Sequence, residues 1–153
     1  MLARAVETAE LIAPGVGAGE LEVLQRCALC ELHVGEGDGL PWPEFTRVYG
    51  RPPWDTDPSI PLSPGSESWA GFVERASAGL QAVADEHPGQ QVVVVCHGGV
   101  IEASFAVWGL ATAGPGWRLK PENTGLTIWS TDDAGSWRLE RYNDCAHLDG
   151  LGA

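Results

Sequence analysis

The chain has 153 residues, 44% of them hydrophobic, which points to one domain spanning residues 1–153 with a real core. Nine basic side chains against 21 acidic ones give a formal charge of -12, and the basic residues are scattered, which argues against a nucleic-acid surface. No window approaches the ~20 apolar residues of a membrane span, and the first residues are charged where a signal peptide would be apolar, so a soluble cytoplasmic protein with no membrane partner is expected.

In chain order, Leu2, Ala5, Val6, Ala9 and Ile12 recur at helical spacing, so a helix is expected from residue 2 to about 13, where Pro14-Gly15 stops it. A short apolar piece at residues 21–24 suggests a strand. Residues 35–65 hold most of the prolines and read as a long surface excursion, with one helical turn near Phe45. Ser66 is placed to cap a helix through about residue 86, because Trp69, Phe72, Val73, Ala76, Leu80, Val83 and Ala84 recur at three and four before Pro88-Gly89.

The run QVVVVC at residues 91–96 has the character of a parallel strand covered on both faces, hence central in a sheet. Gly98-Gly99 then turns the chain into an apolar helix over about 100–110. Beyond Gly114-Pro115-Gly116 the pattern changes to strands: residues 126–129 and 137–142 flank a TDDAG loop suited to a β-hairpin. The sum is an α/β layered fold with an antiparallel ending.

Four cysteines are too few for a disulfide framework in a chain this long, and reduced thiols are expected. The segment CALCELH offers three zinc-ligand types in Cys27, Cys30 and His33. No second Cys/His pair follows at finger or ribbon spacing, so local packing is the expectation, and neither a metal nor a cofactor is assigned.

His97 lies where an apolar strand ends, two glycines follow and a helix begins. In α/β folds that position faces the ligand crevice, and glycines there let an anion reach both backbone N–H groups and the imidazole. His97 and Gly98 are therefore candidate phosphate-binding residues.

Four segments in order carry a resemblance: ARAVETAELIA (residues 3–13), LCELHVGEGDGLPW (29–42), GSESWAGFVERA (65–76) and VVVVCHGGVI (92–101). Together they resemble landmarks of the histidine phosphatase superfamily, and PENTGLTIWS and RYNDCAHL are similar to its closing strands. The resemblance implies a three-layer helix/sheet/helix fold of the phosphoglycerate mutase type and a small phosphorylated substrate. It also implies roles for single residues. Arg4 matches an arginine that grips the phosphoryl group, His97 the second histidine that holds it, and Glu31 the acid that protonates the leaving oxygen. The catalytic candidates are thus His97 and Glu31, and the substrate-binding candidates Arg4, His97 and Gly98. The short length favours a phosphatase over a mutase, and residues 35–65, with Trp42, Tyr49 and Trp54, are expected to line the pocket.

One departure accompanies these matches. The family's attacking histidine sits in an Arg-His-Gly motif ending the first strand, and that tripeptide occurs nowhere in the 153 residues. The expectation is a chain lacking the first strand and following helix, with covalent catalysis closed to it. A non-catalytic phosphate-binding or regulatory protein is the alternative, and the open sheet edge is expected to drive self-association.

Overall fold

The structure, a computed structural model, describes residues 3–17, 21–109 and 119–150. Four helices, α1 (Ala3–Ile12), α2 (Trp42–Tyr49), α3 (Trp69–Glu86) and α4 (Gly98–Val107), are followed by strands β1 (Leu126–Thr131) and β2 (Trp137–Asp144). None of these helices is long and apolar enough to cross a membrane.

The core lies between α3 and α4. Phe72, Ala76 and Leu80 recur along one face of α3 and meet Val100 and Ala103 of α4, all of them buried. Gly79 on the same helix lets the 3-10 turn Cys27–Leu29 approach, because a Cβ there would stand 2.8 Å from Ala28 Cβ. That approach fixes the segment leading to Glu31.

The cap of α3 differs from the sequence expectation by two residues. Ser68 is the N-cap, its hydroxyl accepting from Gly71 N at 3.1 Å. Ser66 is occupied in the preceding turn, where its Oγ accepts from Ser63 N at 2.8 Å. Among the other helices, α1 matches its expected span except for Leu2 and the last position, and Leu2 lies outside the described residues. The single helical turn expected near Phe45 is the eight-residue α2, in which Phe45 is buried. In α4 the two glycines are the first helical residues rather than a turn before the helix, and Leu110 and Gly114-Pro115-Gly116 lie outside the described residues.

The hairpin forms as expected and runs longer on both sides. Leu126 pairs with Asp144 and Thr131 with Trp137, antiparallel, and Asp132 Oδ1 closes the turn by accepting from Ala134 N (3.0 Å) and Ser136 N (2.9 Å). Aromatic side chains dock it onto α4: Phe105 meets Trp129 and Tyr142, and Trp108 stacks on Trp137 at 4.2 Å.

Two expected strands are not strands here. Residues 21–24 have no regular secondary structure, with Leu21 and Leu24 exposed, and they join no ladder. Residues 91–97 lead into α4 without regular secondary structure, and among the described residues β1 and β2 form the one sheet. The valine run reads as central because it is apolar throughout, yet Val92 and Val93 are 42% and 53% exposed. The α/β class stands, although this run joins no ladder among the described residues.

Candidate functional site

The site is built around the first turn of α4. His97 is its N-cap, extended at φ -124° and ψ 166°, and its carbonyl accepts from Val100 N (3.0 Å) and Ile101 N (3.1 Å). The imidazole does not cap the helix, which leaves it available to other groups.

Arg4, in the first turn of α1, brings Nη2 to 3.3 Å from His97 Nδ1. A guanidinium can only donate, so Nδ1 carries the lone pair and the ring proton sits on Nε2. Burial lowers the imidazole pKa below its ordinary value, the Glu31 carboxylate works in the opposite direction, and Arg4 lowers it further. His97 is therefore a neutral donor through Nε2 at neutral pH.

Glu31 reaches the same helix turn from the other side. Its Oε2 accepts from Gly99 N at 3.4 Å and its Oε1 from Leu32 N at 3.0 Å. Gly99 is required by this closeness: a Cβ there would fall 2.5 Å from Glu31 Oε1 and 2.8 Å from two Phe72 ring atoms. Gly98 is less constrained, its nearest obstacle being Pro121 Cγ at 3.3 Å.

The residues that hold Glu31 in place went unassigned from sequence. Arg75 of α3 forms a fork with Glu67, Nε to Oε1 at 2.7 Å and Nη2 to Oε2 at 2.6 Å. Its Nη1 also donates to the carbonyls of Cys27 (3.2 Å), Ala28 (3.0 Å) and Cys30 (3.2 Å), and Nη2 to Glu31 O at 3.4 Å. Glu67 Oε2 in turn accepts from His33 N at 3.0 Å, so one ion pair grips the backbone on both sides of Glu31. Hydrogen bonding to Arg75 holds the Glu67 carboxyl below its usual range. Both residues stand in the segment GSESWAGFVERA that carried the resemblance, and that was the available signal.

An open cavity of about 480 Å³ adjoins the site, with Glu31, Trp69, Gly98, Gly99, Glu102 and Lys120 in its wall. Arg4 and His97 are outside that wall, adjacent through Gly98. Residues 35–65 do not line it, contrary to expectation; Trp54 touches it only indirectly, packed on Trp69 at 5.6 Å. Trp42 and Tyr49 instead pack their rings on the buried Phe45 within α2.

The other histidines are engaged elsewhere. His33 Nδ1 lies 3.5 Å from Glu67 Oε2, His87 is the C-cap of α3, and His147 Nε2 is 3.1 Å from Thr124 Oγ1. Cys96, beside His97, is no nucleophile, since burial pushes its thiol up to about 11.

Comparison with known proteins identifies the family of the chain. The family model of the histidine phosphatase superfamily (branch 1) matches residues 1–145. Phosphoglycerate mutase-like protein 4 of Arabidopsis thaliana is 34% identical over 160 residues, covering 99% of this chain and 65% of that protein. The metal-independent phosphoserine phosphatase of the same plant is 28% identical over 159 residues, covering 99% and 62%. The chain thus spans less than two thirds of either relative. Among solved structures, a mycobacterial glucosyl-3-phosphoglycerate phosphatase in complex with inorganic phosphate is 28% identical, with a TM-score of 0.72 over 94% of this chain and 73% of that one. The family match and these likenesses show that the chain belongs to the histidine phosphatase superfamily, with its phosphoglycerate mutase-like fold.

Proposed function

We propose that this chain handles a small phosphate monoester, with Arg4, His97 and the Gly98 end of α4 holding the phosphoryl group and Glu31 serving its leaving oxygen. The observation that carries the reading is the 3.3 Å approach of Arg4 to a neutral His97 at a helix N-terminus. Guanidinium N–H groups, the His97 Nε2–H and the helix terminus all suit the oxygens of one anion. As negative charge spreads over those oxygens during transfer, the same donors bind more tightly, which is how such a pocket lowers the barrier.

In the family's reaction a histidine nitrogen attacks phosphorus, the ester P–O bond breaks with its electron pair going to oxygen, and an acid supplies the proton. Water then cleaves the P–N bond and releases orthophosphate. Glu31 is the acid in this scheme. The attacking histidine is not among these 153 residues, which contain no Arg-His-Gly, and His33, His87 and His147 each follow a residue other than arginine. These residues therefore bind phosphate and do not turn it over by themselves. Hydrolysis rather than mutase chemistry is favoured because two of the three named relatives are phosphatases. A cytoplasmic setting belongs to the same proposal.

The missing attacker also supports a second reading, a phosphate-binding regulatory protein without turnover. Titration with inorganic phosphate, followed by an aryl phosphate assay with and without an added N-terminal strand ending in Arg-His-Gly, separates the two. The phosphatase reading expects binding by both chains and turnover only by the extended one; binding without turnover in both gives the regulatory reading. Turnover by the 153 residues alone would overturn the statement that they lack the attacker, and no phosphate binding by either chain would overturn the site.

A further inference from the structure

One cluster of reactive side chains has no part in the phosphate pocket. Cys27 and Cys30 bracket the 3-10 turn Cys27–Leu29, and His33 follows three residues later. The turn brings the two sulfurs to 3.7 Å, and both sulfurs and a ring nitrogen of His33 lie within 4.8 Å of one another. Two thiolates on a tetrahedral zinc ion, each at about 2.3 Å, stand about 3.8 Å apart. The sulfurs are thus already at the spacing of a shared tetrahedral ion, whereas a disulfide needs about 2.05 Å.

We propose that Cys27, Cys30 and His33 bind a zinc ion, or a similar thiophilic divalent cation, with the fourth position open to water. The sequence alone offered these residue types without showing that they meet. Binding replaces two thiol protons by one dication: two protons leave, and two thiolates, a neutral imidazole and the ion form a site of zero net charge. The neighbouring Arg75 and Glu67 are likewise neutral as a pair.

Three further observations fit. Arg75 already fixes the carbonyls of Cys27 and Cys30, so the turn is ordered before any ion arrives. The Glu67 carboxylate lies 3.5 Å from His33 Nδ1, the kind of partner that orients a metal-bound imidazole. Cys27 and His33 are exposed while Cys30 is buried, which leaves an entry path for the ion on one side. Glu31 lies between two of the ligands, Cys30 and His33, so an ion here would add a second hold on the segment that Arg75 grips.

The test is zinc binding by the whole reduced chain, and it does not depend on the phosphate reading. Competition against a chromogenic chelator should give one zinc per chain, and calorimetry in two buffers of different ionisation enthalpy about two protons released per ion. Cobalt in place of zinc should add thiolate-to-metal charge-transfer absorption. Cys27→Ser and His33→Gln, both at exposed positions, should each weaken zinc binding by more than about tenfold while the far-ultraviolet circular dichroism stays unchanged. No stoichiometric zinc in the reduced protein would overturn the proposal. So would zinc binding undiminished in both variants, or a chain that forms the Cys27–Cys30 disulfide and takes up no zinc once reduced.

Discussion

His97 is the residue on which the most can be measured. Its surroundings favour the neutral ring, so its imidazole proton resonances should titrate below the ordinary value of 6.5 in the free chain. Inorganic phosphate, bound as an anion against the ring, should move that midpoint upward; a midpoint indifferent to phosphate would count against the pocket. The same depression has a consequence for stability. Between the two values the unfolded chain binds a proton that the folded chain does not, so this contribution is complete above about pH 6.5 and is lost as the pH falls through the folded value. Arg4→Ala removes the guanidinium fork and should weaken phosphate binding by about 10- to 100-fold, corresponding to about 1.5–3 kcal/mol for a charge-assisted hydrogen bond. Arg4, Glu31, His97 and Gly98 were legible in the sequence because each sits in a recognisable motif, and the structure joins Arg4 to His97 and Glu31 to the α4 turn. Arg75 and Glu67 were not legible. Their role comes from a guanidinium meeting carbonyls 44 to 48 residues away, which no local spacing announces.

At the scale of elements, α3 and the segment it holds behave as one unit. Arg75→Ala would strand Glu67 and four backbone carbonyls in a setting where both side chains are only about one-fifth exposed. The expected cost is about 2 kcal/mol, seen as a Tm lower by about 4–8 °C. An unchanged Tm would show that water replaces the guanidinium without penalty. Gly99→Ala sets two effects against each other. Alanine favours the helix by about 0.5–1 kcal/mol, but its Cβ would collide with Glu31 and with the fully buried Phe72, which cannot retreat, at about 1–3 kcal/mol. The collision should win, giving lower stability and a displaced Glu31, and thermal melts of the two chains would settle the sign. Long periodic helices were readable because apolar spacing decides them, and so was the hairpin. The cap of α3 was misplaced by two residues because Ser66 and Ser68 offer the same hydroxyl, and tertiary contacts choose between them.

For the whole molecule, residues 91–97 bear on assembly. Val92 and Val93 are exposed and apolar, the run joins no ladder among the described residues, and it is suited to pairing with another chain. These 153 residues are expected to self-associate in light scattering, and Val93→Lys, which puts a charge on the exposed run, should shift them toward monomer. A clean monomer for the parent chain would refute this. The apolar run made a strand expected here, but strand formation needs a neighbour, and pairing is a property of the surrounding chain rather than of the run itself. The stack of Trp137 on Trp108 has a different use. Two indoles 4.2 Å apart and inclined by 16° couple their electronic transitions, so docking of the hairpin on α4 should carry an exciton signature in circular dichroism. Detachment of the closing strands could then be watched optically, separately from the melting of the helices.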